Sequence, residues 1–324
     1  MTNKQPNAIE ELQRLLIGAA ELTPKDVANS AGVDIEQARR MWRALGFPPV
    51  PDDQRFFTRS DVDMLRASSA LIETEATDPK VLLQLTRVTG QSLARIAEAQ
   101  IGAMADRLTA AVASGATPEL VALVQSMLPG VEPFLSYVWR RHLLASLRRL
   151  TAVLSTDGEE AHAVAVGFAD LVGFTAISQQ VDEDELATMV DRFEELAYEN
   201  IPHGGGRVVK MIGDEVMFAA DSAADAARIA LDLARVYADD DKLPDVRVGL
   251  AFGQVLSWQG DLFGPTVNLA SRLVNIARPG TVLISEEMAT KLEDEAAFDV
   301  RVLRPLKLKG VGKVRFAVLR PGSG

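Results

Sequence analysis

Three short segments in the second half of this chain carry residues suited to phosphate chemistry. In Phe168-Ala169-Asp170-Leu171-Val172-Gly173-Phe174-Thr175 a carboxylate closes an apolar run, and a glycine-containing turn follows it. A strand end fixes Asp170, while the backbone amides around Gly173, Phe174 and Thr175 at a helix start can hold a phosphate chain. Taken alone, Asp170 reads equally as a helix-capping residue. Val209-Lys210-Met211-Ile212-Gly213-Asp214-Glu215-Val216-Met217-Phe218 reads as a hairpin with Asp214 at its tip, which by itself is common in β proteins. Paired with Asp170 on a neighbouring strand, Asp214 supplies the second of two carboxylates able to share two hard divalent ions, roughly 3.5 to 4 Å apart in two-metal sites. The third segment runs from Gly260 through Asp261 and Pro265 to Asn268 and Arg272. Pro265 opens a helix, and a separation of four residues puts Asn268 and Arg272 on one face of it. An amide donor and a guanidinium side by side match a phosphorus centre gathering negative charge; standing alone, the same pair reads as a solvated polar face.

The elements that must position these residues follow from patterning. Ala163 to Phe168 reads as a buried strand, Glu183 to Tyr198 as a helix, and Arg207 to Ile212 with Val216 to Ala220 as two strands around the turn at Gly213-Asp214. A helix from Ser222 to Tyr237, strands at Val246 to Phe252 and Val255 to Trp258, and a helix from Pro265 to Pro279-Gly280 come next. Thr281 to Ser285, Phe298 to Leu303 and Val314 to Leu319 finish as strands. The order strand, helix, strand, strand, helix, strand is the plan of a ferredoxin-like α+β domain.

Residues 1 to 154 read as helical throughout, with apolar positions at three and four spacing from Ile9 to Ile17 and Val81 to Ala111. Thr23-Pro24 starts a helix, Gly32 ends it, and Asp34 caps the next, Ile35 to Leu45, as in a helix-turn-helix. Breaks are expected near residues 115–118 and at Pro129-Gly130, so that a linker helix begins at about Pro133 and runs to Leu154. The polar stretch from Ser155 to Glu160 marks the boundary to a second domain, residues 160 to 324.

Composition narrows the chemistry. Of 324 residues, 48% are hydrophobic and 24% charged, close to the soluble globular average. The absence of cysteine excludes disulfides, thiol catalysis and thiolate zinc sites. Residues 1–150 carry 17 Lys and Arg against 17 Asp and Glu, so the whole net charge of −11 lies in the second half. A phosphate-bearing substrate arriving there must bring metal. No apolar run is long enough to span a membrane, and the first residues lack a signal core, so a cytoplasmic location is expected.

Together the three segments resemble the class III nucleotide cyclases, the adenylyl and guanylyl cyclase family, across roughly residues 160 to 320. The resemblance implies a βααββαβ catalytic domain behind an all-α regulatory domain. It implies that Asp170 and Asp214 bind two Mg²⁺ or Mn²⁺ ions and that ATP yields 3′,5′-cyclic AMP and pyrophosphate. Lys210 and Asp261 fall where the family reads the purine, and this pair favours adenine over guanine. Asn268 and Arg272 fall on the ribose-orienting and transition-state positions, and Lys309 on a late hairpin matches a triphosphate-binding residue. Metal and purine residues of one site come from different chains in this family, so a homodimer is expected.

Two rival readings remain at this level: a guanylyl or relaxed-specificity cyclase, and a catalytically silent sensor or DNA-bound scaffold. The neutral charge of residues 1–150 disfavours nucleic acid as a partner. His142, on the linker helix, is a candidate proton switch, and a small-molecule or lipid regulator of the helical domain is left open.

Overall fold

The computed structural model describes residues 8–73, 77–113, 117–154 and 163–322. The chain divides into two compact units, residues 1–147 and 148–324.

The first unit begins with α1 (Ala8–Leu16), α2 (Pro24–Ala31) and α3 (Ile35–Leu45). A capping box starts α2: the Thr23 hydroxyl accepts from the Asp26 amide at 3.2 Å, and Asp26 accepts from the Thr23 amide at 3.0 Å. Gly32 turns the chain with φ 74°, and Asp34 caps α3, so the helix-turn-helix forms where local signals place it. Next come α4 (Arg59–Glu73), α5 (Pro79–Gly102), α6 (Ala105–Ala113) and α7 (Thr117–Leu154). Val27, Ala38, Met41, Trp42, Phe57 and Leu65 build the core, with Trp42 stacked on Phe57 at 4.3 Å between centroids.

Two helix boundaries differ from expectation. The pattern from Val81 to Ala111 divides at Gly102, a weak helix former, into α5 and α6. No break occurs at Pro129-Gly130, and the linker helix does not begin at Pro133. Both prolines lie inside α7, which runs unbroken to Leu154. An interior proline costs about 3 kcal/mol and one hydrogen bond; the helical turns on both sides outweigh that local loss. The expected break near residue 115 falls largely on residues outside the described set, just before α7.

The second unit is built on β1 (Ala163–Leu171), α8 (Phe174–Ile177), α9 (Glu183–His203), β2 (Arg207–Ile212), β3 (Glu215–Ala220), α10 (Ala223–Ala238) and β4 (Val246–Gln254). This is the βααββαβ order. It continues with the ribbon β5 (Leu256–Trp258) and β6 (Asp261–Phe263), then α11 (Pro265–Ile276), β7 (Val282–Ser285) and α12 (Glu286–Leu292). The chain closes with β8 (Phe298–Val302), a small hairpin of β9 (Leu306–Leu308) and β10 (Gly312–Val314), and β11 (Phe316–Pro321). Seven strands form one sheet in the order β2-β3-β1-β4-β7-β11-β8, antiparallel except where β4 meets β7. The expected βααββαβ domain is thus present, extended by three strands at one edge.

The alternation of β1 sorts its two faces. Ala165, Ala169 and Leu171 pack with α9 and α10 in the larger core, while Val166 and Phe168 face the smaller core beneath α11. The helix α11 lies close against β4 because residue 249 is glycine. A methyl group there would meet the backbone nitrogen of Val274 and the carbonyl of Ala270 well inside contact distance. The short α12 was not evident from patterning, although Ser285 caps it through the Met288 amide at 3.2 Å. Among the described residues no helix is long and apolar enough to cross a membrane.

Candidate active site

Asp170 sits on the α11-covered face of the sheet, since it shares the even alternation of Val166 and Phe168. The register then decides its neighbours. Glu215 lies opposite on β3 and Arg247 opposite on β4, so the three side chains form one cross-strand row. Arg247 donates from both Nε and Nη2 to Oδ2 of Asp170 at 2.6 Å. Gly213, with φ 64°, makes the β2–β3 turn, and the Leu171 amide donates to the Asp214 carbonyl at 3.1 Å. This bond ties the Asp214 turn to the end of the strand that carries Asp170.

The electrostatics record the crowding. Burial raises the Asp214 carboxyl above the usual range, and the nearby charge of Asp170 adds to it. Burial likewise pushes Glu215 up to about 7, reinforced by Asp170 and Asp214. Among the described residues no group of three or more His, Asp or Glu is arranged to hold a metal. The chemistry of the donor set nevertheless fits a hard divalent cation: three carboxylates stand at adjoining positions, the charge of Asp170 helps raise the proton affinity of Asp214 and Glu215, and Arg247 pairs only with Asp170. Glu215 and Arg247 were not singled out from sequence. Their signal was a charge inside an otherwise apolar strand, which burial permits only when the charge is paired.

Lys210 and Asp261 come together across 51 residues of sequence. The Lys210 Nζ donates to Oδ2 of Asp261 at 2.5 Å, and Oδ1 accepts from the Leu262 amide at 2.8 Å. Asp261 is positioned by the β5–β6 ribbon, whose turn places it opposite Trp258. Both groups remain partly exposed, at 39% and 27% of their side-chain surface, so a ligand can reach the pair.

Asn268 and Arg272 lie on the outward face of α11, opposite the buried Ala270, Leu273 and Val274. Their side chains have no hydrogen-bond or ion-pair partner among the described residues. Gly173, with φ 76°, begins α8, and the first-turn amides of Phe174 and Thr175 have no acceptor within that helix. Lys309 is exposed at the tip of the β9–β10 hairpin, and His142 is exposed on α7; neither has a described partner. The chain therefore assembles two clusters, Asp170 with Asp214 and Lys210 with Asp261, and leaves Asn268, Arg272 and Lys309 unengaged.

A mixed sheet with paired carboxylates at a strand end and hairpin tip, facing a helix with an outward amide and guanidinium, defines a nucleotide-cyclase catalytic domain. The family described as adenylate and guanylate cyclase catalytic domain matches residues 157–320, and the adenylate cyclase regulatory domain matches residues 4–150. An adenylate cyclase of Streptomyces coelicolor is 43% identical over 286 residues, which span 87% of this chain and 74% of that protein. An adenylate cyclase of Glutamicibacter nicotianae is 36% identical over 329 residues, spanning 96% and 82% respectively. Among solved structures, an adenylate cyclase of Trypanosoma brucei in its monomeric state is 22% identical over 51% of this chain and 91% of its own, with a TM-score of 0.46. The chain belongs to the adenylate and guanylate cyclase family, and its catalytic domain follows an adenylate cyclase regulatory domain.

Proposed function

We propose that this enzyme converts ATP to 3′,5′-cyclic AMP and pyrophosphate at a site shared between two copies of the chain. The observation that carries the reading is the division of the site within one chain: a carboxylate cluster on the sheet, and an outward Asn268 and Arg272 with nothing to act on. Two identical chains facing one another complete two equivalent sites, since the carboxylates of each meet the helix face of the other.

In this scheme Asp170 and Asp214 hold two Mg²⁺ or Mn²⁺ ions, which when bound supply a lowered pKa at the ribose 3′-hydroxyl and neutralisation of the triphosphate. The amides of Gly173, Phe174 and Thr175 and the ammonium of Lys309 hold phosphate oxygens. Asn268 orients the ribose, and Arg272 donates to the phosphoryl oxygens as charge grows on them. Lys210 donates to an adenine ring nitrogen and Asp261 accepts from the exocyclic amine. Guanine offers an oxygen at that edge, and the resulting unpaired contact costs about 1 to 3 kcal/mol. Arg247 holds Asp170 in place through its two short bonds until substrate and ions arrive.

The helical unit, with a boundary at residues 154–160, serves in this reading as a regulator. A DNA-bound scaffold is disfavoured by the net neutrality of residues 1–150. Purified protein with Mn²⁺ and either ATP or GTP, followed by detection of cyclic product, separates the alternatives: cyclic AMP from ATP supports the reading, cyclic GMP a relaxed specificity, and neither product a silent module. Asp214→Ala and Asn268→Ala chains, each inactive alone, are expected to regain activity on mixing. Continued inactivity in a verified heterodimer rejects the shared site.

A further inference from the structure

The face of the sheet beneath α11 is not covered to its edge. The helix packs over β1, β4 and β7, and the same face of β11 and β8 continues beyond it. There the register builds three rungs. Leu283 of β7 lies opposite Val318 of β11, which lies opposite Arg301 of β8. One rung toward the strand end that carries Asp170, Arg320 lies opposite Asp299; in the other direction Phe316 lies opposite Ser285. Ile276 at the end of α11 and Leu306 at the base of the β9–β10 hairpin form walls, and Arg278 stands at the rim. The resulting groove has room of about 600 Å³, within the roughly 300 to 1,000 Å³ typical of small-molecule sites.

Its charge runs against that of the domain. The second half of the chain is net −11, yet residues 298–321 hold seven Lys or Arg against the single acid Asp299. Arg278, Arg301 and Arg320 line the groove, and none has an ion pair or side-chain hydrogen bond among the described residues. By contrast, Arg315 on the other side of β11 is paired with Glu286 at 3.0 Å. Three unpaired guanidiniums at the groove repel one another, and its apolar walls Ile276 and Leu306, 36% and 46% exposed, lose free energy to water. One kind of occupant relieves both: a molecule with an apolar body and an anionic end.

We propose that this groove binds a small organic anion, its carboxylate, sulfonate or phosphate held by Arg278, Arg301 and Arg320 and its apolar body lying between Ile276 and Leu306 over the partly exposed Val318. The site is separate from the one described above. Asp170 on β1 and Arg320 on β11 are three strand spacings apart, about 14 Å, and no residue lining the groove was assigned to catalysis.

The chain contains no cysteine, so Leu306→Cys introduces its only thiol, at a half-exposed wall of the groove. The full-length variant is treated with a thiol-reactive reagent in the presence of rising concentrations of anilinonaphthalene sulfonate, an apolar anion. The expected result is saturable slowing of the reaction, with apparent affinity reduced about tenfold or more when Arg301→Glu and Arg320→Glu are added. Sulfate at the same concentrations is expected to leave the thiol unprotected. A labelling rate indifferent to the probe overturns the proposal, as does protection that survives charge reversal undiminished. Equal protection by sulfate reduces the site to a plain ion site and also overturns it. A thiol already shielded without probe, in proportion to protein concentration, assigns the face to a second copy of the chain instead.

Discussion

Replacing Glu215 with glutamine isolates the cost of crowding carboxylates at the end of the sheet that carries Asp170 and Asp214. The folded chain holds the Glu215 carboxyl up to about 7, against an ordinary value of 4.5, mainly by burial and then through Asp170 and Asp214. Between those two pH values the native state binds more protons than the unfolded chain, so stability falls as pH rises through this window. At 1.36 kcal/mol per decade, and with water screening part of the effect at this partly exposed side chain, the difference amounts to about 1 to 2 kcal/mol. Glutamine keeps the shape and never ionises. In the presence of a chelator, Glu215→Gln should match the native chain near pH 4, where both side chains are neutral, and exceed it by about 1 to 2 kcal/mol near pH 8. Urea unfolding of both proteins across this range reads the difference directly, because contributions from the helical unit are common to the two. Parallel stability curves from low to high pH would refute the reasoning, since they would mean that Glu215 ionises without cost in the folded state.

Other outcomes follow from the same geometry. Gly249→Ala inserts a methyl group between β4 and the backbone of α11. It should cost about 1 to 3 kcal/mol in thermal unfolding and depress activity further by displacing Asn268 and Arg272; native-like values for both would show that α11 is free to shift. Asp261→Ala removes the partner of Lys210 and the proposed acceptor for the adenine amine. The expected loss in kcat/KM for ATP is about ten- to a hundredfold, with a smaller loss for GTP, measured by product formation from each nucleotide. His142→Ala is expected to flatten the pH–activity profile of the full chain if the exposed imidazole on α7 acts as a proton switch, and an unchanged profile removes it from that role.

Much of the catalytic domain was legible because its signals are local. The Asp170 strand, the Gly213-Asp214 turn and the Pro265 helix each follow from period, propensity and turn chemistry within about a dozen residues. Likewise the spacing of Asn268 and Arg272 guarantees a common helix face in any fold that keeps the helix. Local rules were less reliable where they compete with context. Pro129-Gly130 reads as a break and Pro133 as a helix start, yet α7 continues through both prolines, because the turns on either side outweigh the missing donors. The seven-residue α12 and the three-residue strand β6 were too short to display a period.

Amino-acid order alone determined which residues lie at strand ends, turns and helix faces, and hence the candidates Asp170, Asp214, Lys210, Asp261, Asn268 and Arg272. Only the tertiary structure decided who meets whom. Strand order brought Arg247 and Glu215 to either side of Asp170, and the β5–β6 ribbon carried Asp261 to Lys210. The uncovered end of the sheet likewise follows from strand order, since α11 packs over β1, β4 and β7 while β11 and β8 lie beyond them. The physical reason is one of range: backbone periodicity is fixed by neighbours a few residues apart, whereas charge pairing and burial depend on strand register and sheet order, which no short window of sequence contains.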